Sequence, residues 1–95
     1  MRTIDLSRAF RRDYKRARAN PHHAHDVRTL YEDVALLLAE DKPLPESYRD
    51  HALIGNWKGY RECHLKPDLL LIYKTEEPEI LRIARLGSHS ELFRR

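Results

Sequence analysis

The residues best suited to chemistry in this sequence are three separated histidines and one aspartate: His51, His64, His89 and Asp68. Histidine exchanges protons near neutral pH, because its unperturbed pKa is about 6.5. General acid–base catalysis needs such side chains within hydrogen-bond reach of the reacting group. The residue types therefore suggest proton transfer to and from a bound substrate, provided that the fold brings these side chains together.

Cleavage of RNA without a metal ion is one reaction that such a set could carry out. A base removes the proton of the 2′-hydroxyl, an acid protonates the departing 5′-oxygen, and positive charge stabilises the crowded phosphate. Arg61 and Arg85 could supply that charge, and Phe93 offers a ring on which an RNA base can stack. Taken alone, the pattern also fits histidines that serve only packing or the surface, so both interpretations stay open.

Strands in the C-terminal half must position these residues. The hydropathy pattern and the turn residues predict three of them in quick succession, over residues 58–65, 68–75 and 80–86. The run from Leu69 to Tyr73 is apolar without alternation, which is typical of a strand covered on both faces and central in its sheet. We therefore expect three antiparallel strands.

The turn between the first two of these strands, at Lys66 and Pro67, should bring His64 and Asp68 together, because a tight turn holds its flanking residues within a few ångströms. His51 lies in an irregular loop over residues 44–57. Arg85 comes four residues before His89 and is expected to share its face of the sheet. That face is expected to be the uncovered, concave and polar one.

The N-terminal half supplies the elements that cover the other face. Residues 2–6 are a predicted strand, and Ser7 is a suitable N-cap for a helix over residues 8–19. A second helix begins near His25 and Asp26 and ends at the residues 41–43. The expected fold is α+β, with a helical hairpin on one face of a small, mainly antiparallel sheet in the order β-α-α-β-β-β.

Two features of this half leave alternatives open. The first helix has a basic face, which is either a solvated surface or a surface for RNA phosphates or an acidic partner. It consists of Arg8, Arg11, Arg12, Lys15, Arg16 and Arg18. The turn between the helices carries His22, His23 and His25. An exposed turn is favoured over a metal site there, because no cysteine or acidic pair stands at a recognisable ligand spacing.

Composition indicates one globular domain over residues 1–95, with 41% hydrophobic and 35% charged residues and a formal net charge of +3. No apolar run approaches the roughly 20 residues of a membrane span, and the first ten residues lack the apolar core of a signal peptide, so a cytoplasmic location is expected. Cys63 is the only cysteine, which excludes an internal disulfide, and we expect it to be a small buried hydrophobe.

Three segments of the sequence resemble YafQ-type toxins of the RelE/ParE toxin–antitoxin superfamily. The patterns are LPxxYRDHxLxGxWKGYRxxH, xPDxLLIYK and RxGxHxxLF, which lie at Leu44 to His64, Lys66 to Lys74 and Arg85 to Phe93. The resemblance covers the C-terminal half closely, and the predicted N-terminal elements fit the superfamily's layout. One departure is Leu69, which stands where a large aromatic residue can follow the aspartate in the family.

The resemblance implies a ribosome-dependent mRNA endoribonuclease that inhibits translation by cutting mRNA in the ribosomal A site, without a metal or other cofactor. A cognate antitoxin would neutralise it, in a complex able to bind operator DNA through the antitoxin. Carried over by position, the functional residues are His51, His64, Asp68, His89 and Phe93.

The expected roles follow from this set. His89 is the general acid, and His51 or Asp68 is the general base. His64 orients the phosphate, unless Asp68 instead holds the tautomer of that histidine. Phe93 positions the nucleotide, and Arg85 offsets charge on the phosphorane, with Arg61 as a further substrate-binding residue.

Two rival functions remain. One is a gyrase-inhibiting toxin of the same superfamily, which shares the fold but generally lacks the acid–base cluster. The other is a noncatalytic module whose basic helix binds nucleic acid or an acidic partner. Trp57, Tyr60 and Tyr73 are expected to be packing residues in either case.

Overall fold

A computed structural model describes residues 1–76 and 79–93. It contains five strands and three helices, and two single 3₁₀ turns lie at Glu46–Tyr48 and Gly55–Trp57. The strands are β1 (Thr3–Leu6), β2 (His51–Ala52), β3 (Arg61–Lys66), β4 (Leu69–Glu76) and β5 (Ile80–Gly87). The helices are α1 (Arg8–Ala19), α2 (Val27–Ala39) and α3 (His89–Leu92).

The strands form one sheet in the order β1-β5-β4-β3-β2. β1 runs parallel to β5, and the other three pairs are antiparallel. The expected α+β fold with a mainly antiparallel sheet is confirmed. The two-residue strand β2 and the short helix α3 were not expected, because elements of this length leave no periodic pattern in a sequence.

The two long helices begin where their caps place them. The Ser7 hydroxyl accepts a hydrogen bond from the Phe10 amide at 2.9 Å, which fixes the first turn of α1. α2 starts one residue after Asp26, close to the predicted position. The chain leaves α2 through Asp41, whose φ of 58° lies in the left-handed region and cannot continue a helix.

The main core lies between these helices and one face of the sheet. α1 contributes Phe10 and Ala17, and α2 contributes Val27, Val34 and other small apolar residues. The sheet contributes the residues of its strands that face the helices: Cys63, Leu65, Leu69, Leu71, Tyr73, Leu81, Ile83 and Leu86. This arrangement confirms the helical hairpin on one face. Cys63 is a buried core residue as expected, and burial raises the pKa of its thiol.

The other face of the sheet is not the open polar surface that the sequence suggested. Leu70 and Ile72 of β4 point to it and are buried. They form a second apolar cluster with Leu92 of α3. Its partly buried members come from the loop before β3, from β5 and from the chain end, namely Leu53, Trp57, Tyr60, Ala84 and Phe93. The expectation was wrong because apolar residues on this face of β4 also require cover.

The central position of β4 was predicted correctly. All five residues from Leu69 to Tyr73 are buried, three of them facing the main core and two facing the second cluster. Trp57 and Tyr60 stack edge to face with ring centroids 5.1 Å apart, and Tyr73 is 2% exposed. Their packing roles are therefore confirmed. Within residues 1–76 and 79–93, no helix is both long and apolar enough to cross a membrane.

Candidate active site

His51 is positioned by the pairing of β2 with β3, which sets it directly opposite Glu62. Its Nε2 atom lies 3.3 Å from Glu62 Oε1, and its Nδ1 atom lies 2.8 Å from the carbonyl oxygen of Arg49. The His51 side chain is 51% exposed, whereas that of Glu62 is only 6% exposed. A buried carboxylate therefore orients an accessible imidazole.

Glu62 is a residue that sequence reasoning missed. It lies two positions before His64 on the same strand, so both side chains lie on the same face of the sheet. That spacing was a usable signal, because an acidic residue inside a largely buried strand requires a partner. The partner is His51.

His64 completes this group. Its ring centroid lies 6.3 Å from that of His51. Its Nδ1 atom is buried and has no hydrogen-bond partner among the described residues. The side chain also borders a cavity of about 400 Å³ next to Tyr48 and Arg49. His51 and His64 thus form one pair of neighbouring imidazoles at the β2–β3 side of the sheet.

His89 lies next to β5, away from β2 and β3, at the start of α3. Ser88 and Glu91 form a capping box that defines this start, with Ser88 as N-cap. The rings of His89 and Phe93 are 4.9 Å apart, His89 is exposed, and Phe93 packs on the second apolar cluster. His89 is therefore accessible beside an anchored aromatic ring.

The two histidine groups are related through one row of the sheet. His64 is paired with Leu70 of β4, and Leu70 is paired with Gly87 of β5. Because neighbouring strands lie about 4.8 Å apart, the backbones at His64 and Gly87 are separated by about 10 Å. His89 follows Gly87 by two residues. The His51–His64 pair and the segment that leads to His89 therefore lie on either side of the same strip of β4.

Asp68 lies at the hairpin tip between β3 and β4. In the described part of the chain no hydrogen bond connects it to His64, and the two residues border different cavities. Asp68 is exposed and lines a cavity of about 340 Å³ with Ser90 and Glu91 of α3 and with the end of α1. A register shift between His64 and Lys66 inserts an extra residue before the turn, so the two positions flanking the tip are not equivalent. The expected convergence of His64 and Asp68 stays a prediction, and Asp68 shares its cavity with residues of α3.

Arg61 is engaged in an ion pair. Its Nε and Nη2 atoms lie 3.3 and 3.2 Å from the two carboxylate oxygens of Asp50, and the Tyr73 hydroxyl donates to the same carboxylate. The hydrogen bond to Asp50 raises the pKa of Arg61. Burial, followed by the hydrogen bond to Asp50, raises the pKa of Tyr73. The guanidinium of Arg61 thus anchors the residue that precedes His51, and its contact with substrate stays a prediction.

Arg85 is paired with a residue that the sequence did not indicate. Its place opposite Ile72 gives it the expected face of the sheet, but its guanidinium donates to Asp13 of α1 from Nε at 2.7 Å and from Nη2 at 3.2 Å. Burial alone would raise the pKa of Asp13, but the hydrogen bonds from Arg85 and from the Leu86 amide outweigh it and hold this pKa below its usual value. Phosphate binding by Arg85 stays a prediction.

The spacing of Asp13 was a signal that could have revealed this pair. Phe10, Asp13 and Ala17 follow the i, i+3, i+7 pattern of one helix face, and all three are buried. A carboxylate on a buried face requires a cationic partner. The sequence cannot identify that partner, because it lies 72 residues away.

The three histidines between the helices differ in their burial. His22 and His25 are exposed, as expected for a turn, whereas His23 is 7% exposed and contributes to the packing there. No group of three or more histidine, cysteine, aspartate or glutamate side chains suited to a metal ion occurs in residues 1–76 and 79–93.

Comparison with known proteins supports the resemblance over nearly the whole chain. The family model of the bacterial toxin YafQ of type II toxin–antitoxin systems matches residues 2–94. The mRNA interferase toxin YafQ of Escherichia coli K12 is 39% identical over 92 residues, covering 97% of this chain and 96% of the relative.

Two solved structures are similar throughout. A metal-bound toxin from Helicobacter pylori is 47% identical, with a TM-score of 0.87 and coverage of 98% of this chain and 100% of that one. The toxin in the DinJ–YafQ complex of E. coli is 38% identical, with a TM-score of 0.83 and coverage of 98% and 99%. These likenesses extend to the N-terminal helices, which the sequence motifs did not reach.

Proposed function

This chain belongs to the YafQ family of toxins from bacterial type II toxin–antitoxin systems, and on that premise we propose that it is a ribosome-dependent endoribonuclease of mRNA. The observation that carries the proposal is the placement of two histidine groups on either side of one strip of β4. A relative that is 39% identical bears the name mRNA interferase, which supports RNA as the substrate.

The chemistry is general acid–base cleavage of a phosphodiester bound between the His51–His64 pair and His89, outside the apolar cluster that covers Leu70. In an in-line displacement, the attacking and departing oxygens lie on opposite sides of the phosphorus atom, so a base and an acid must face each other across it. His51 lies on the β2–β3 side and His89 on the α3 side. We assign His51 as the base that takes the 2′-hydroxyl proton, and His89 as the acid that protonates the 5′-oxygen.

The remaining residues bind and position the substrate. His64, next to His51, holds the phosphate, and Phe93 stacks with a base beside His89. Arg85 uses Nε and Nη2 on Asp13, which leaves Nη1 to face phosphate charge. Asp68 is the alternative base, and its place on the α3 side favours His51 over it.

We propose that the reaction needs no metal ion, because imidazole groups can supply both proton transfers. The test is cleavage after removal of divalent ions from the toxin before it is added to ribosomes. A related toxin has been crystallised with metal bound, so the treated protein must also be assayed after metal is restored. Activity that disappears on chelation and returns with one metal ion would refute metal independence.

Ribosome dependence is supported by the outer face of α1. Five exposed cations lie there: Arg8, Arg11, Arg12, Lys15 and Arg18. None of them forms an ion pair with an acidic side chain in the described ranges. Such a surface fits RNA phosphates. We propose that α1 contacts ribosomal RNA, which places the activity in the cytoplasm.

The cognate antitoxin is a further proposed partner. It is supported by the DinJ–YafQ complex, whose toxin shares 38% of its sequence with this chain. In the proposed cycle the antitoxin neutralises the toxin and directs the complex to operator DNA. Release of the antitoxin then allows the toxin to enter the ribosomal A site.

The central experiment maps cleavage sites on translated mRNA after brief induction of the toxin. His89→Ala should abolish cleavage and growth arrest while antitoxin binding is kept. His25→Ala is the matched control, because His25 is an exposed histidine on the turn between α1 and α2. Full cleavage by the His89 variant would refute its role. Gyrase-linked DNA breaks without mRNA fragments would instead favour the gyrase-inhibiting alternative.

A noncatalytic alternative is favoured by the same basic helix and makes the opposite prediction. If α1 alone carries the function, reversing the charges of Arg11 and Lys15 abolishes growth arrest, whereas His89→Ala has no effect. If the proposal is correct, both changes reduce toxicity, but only the histidine variant still binds ribosomes with full affinity. Sedimentation of the toxin with ribosomes separates these outcomes.

A further inference from the structure

On the edge that faces away from β4, the end of β5 is held by a helix rather than by a strand. β1 pairs with β5 only at Ile80–Ile83. Beyond that point, the Ser7 hydroxyl donates to the carbonyl oxygen of Ala84 at 2.6 Å, and Asp13 Oδ2 accepts from the Leu86 amide at 3.0 Å. His89 follows Leu86 by three residues. α1 and its cap therefore hold the strand end from which His89 extends.

Asp13 is the centre of these contacts. Its side chain is 4% exposed, and it accepts hydrogen bonds from Arg85, from the Leu86 amide and from Arg16 Nη2, the last at 2.8 Å. The Nε atom of Arg16 lies 3.8 Å from Glu91 Oε2. One buried carboxylate thus connects α1, β5 and, through Arg16, the helix α3.

Glu91 connects Arg16 to the start of α3. Its Oε1 atom accepts from the Ser88 amide at 2.8 Å, and its own amide donates to the Ser88 hydroxyl at 3.2 Å. The strand end and the helix start are packed closely here, since a Cβ atom on Gly87 would lie 2.9 Å from Glu91 Oε1. The four residues of α3 are too few to form a stable helix alone, so these contacts and the burial of Leu92 determine where it lies.

We propose that Asp13 is a positioning residue for His89: it fixes the end of β5 directly and α3 through Arg16 and Glu91. Asp13 itself touches no substrate. Its kinetic consequence rests on the proposed function, because a misplacement of about 1 Å at a catalytic group can reduce the rate by roughly 100-fold. The structural consequence does not depend on any activity and can be measured by itself.

The test compares Asp13→Asn with Asp33→Asn. Asp33 is exposed on α2 and makes no ion pair among the described residues, so it controls for loss of one negative charge on a helix. Hydrogen exchange by NMR follows the amides of Leu92 and Phe93, which bond within α3 to Ser88 and His89.

In Asp13→Asn these two amides should exchange faster by on the order of 10-fold or more, while the amides of β4 keep their parent rates. Asp33→Asn should leave all of these rates unchanged. If the amides of Leu92 and Phe93 exchange in Asp13→Asn at the same rates as in the parent protein, the inference is overturned, whatever the activity. If Asp13→Asn does not fold, Arg16→Gln replaces it, since that change removes the contacts of Arg16 with Asp13 and Glu91 but keeps those of Asp13 with Arg85 and Leu86. Parent rates in that variant would also overturn it.

Kinetics on translating ribosomes give the second measurement. At a temperature where Asp13→Asn is folded, kcat should fall by roughly 10-fold to 100-fold with little change in KM, because His89 acts in the chemical step rather than in binding. An unchanged kcat would refute positioning. A parent protein that cuts no mRNA would refute the proposed function, and the exchange result would still decide the role of Asp13.

Discussion

Removal of one hydroxyl group, in Tyr73→Phe, tests how the loop that carries His51 is held. The Tyr73 ring lies in the main core, and its hydroxyl donates to Asp50, which also accepts from Arg61. Phenylalanine keeps the ring packing and removes only this hydrogen bond. Asp50 immediately precedes His51. The change therefore weakens the anchor without creating a cavity.

The expected loss follows from the exposure of the acceptor. A hydrogen bond to a charged group contributes roughly 1.5–3 kcal/mol. The Asp50 side chain is 27% exposed and keeps Arg61, so water can replace the lost donor and the lower end of that range applies. We expect a loss of about 1.5 kcal/mol in the free energy of unfolding. For a domain of this size, that corresponds to a fall in Tm of roughly 6–12 °C.

Urea and thermal unfolding of parent and variant measure this loss. The control is Tyr31→Phe, because Tyr31 also packs against aromatic neighbours in the core, at 5.2 Å from Phe10, but its hydroxyl makes no hydrogen bond among the described residues. That variant should differ from the parent by less than about 0.5 kcal/mol. Equal losses in the two variants would refute the reasoning.

The same hydroxyl also gives a pH dependence. The folded protein raises the pKa of Tyr73 above its ordinary value of 10.0, so ionisation is disfavoured in the folded state. The stabilising effect is complete below pH 10 and is lost as pH rises towards the higher pKa of the folded state. The free energy of unfolding of the parent should therefore fall more steeply above pH 10 than that of Tyr73→Phe. Parallel curves would show that Tyr73 ionises freely.

Three further outcomes are expected. The pKa of Asp13 is lowered in the folded state, so its contribution to stability is present above about pH 3.8 and is lost as pH falls further; acid titration of unfolding should be steeper for the parent than for Asp13→Asn. Cys63 is fully buried and the pKa of its thiol is raised, so alkylating reagents should modify it only after unfolding, and rapid reaction of the native protein would contradict its placement. Gly87→Ala should place a methyl group 2.9 Å from Glu91 Oε1, disrupt the capping box and lower the free energy of unfolding by about 1–2 kcal/mol, as measured by thermal unfolding; a variant as stable as the parent would contradict this packing.

The sequence predicted those parts of the fold that repeat a local pattern. The helical spacing of apolar residues located α1 and α2, and the continuous apolar run located β4, because each pattern reflects burial along one element. β2 and α3 escaped notice because two and four residues contain no period. The second apolar cluster was missed for a related reason. A buried run shows that both faces are covered, but it does not show what covers the second face.

The candidate site was predictable in its residue types and only partly in its contacts. The order of His51, His64 and His89 along the motifs indicated acid–base residues, and the hairpin indicated their side of the sheet. The partners of the charged groups could not be read from the sequence. Asp13 binds Arg85 across 72 residues, and the place of Asp68 depends on a one-residue register shift. These contacts are determined by the fold of the whole chain rather than by the local sequence.

The pairing of β1 with β5 has a consequence for the order in which the fold can form. Thr3 lies opposite Ile80, and α1 packs mainly on β5. The N-terminal segments leave the ribosome first, but they cannot complete their packing until β5 has been synthesised. Contacts that are so distant in sequence form only after nearly the whole chain is available. A nascent chain therefore carries the histidines without their geometry. The site can therefore assemble only after β5 has been synthesised and has paired with β1.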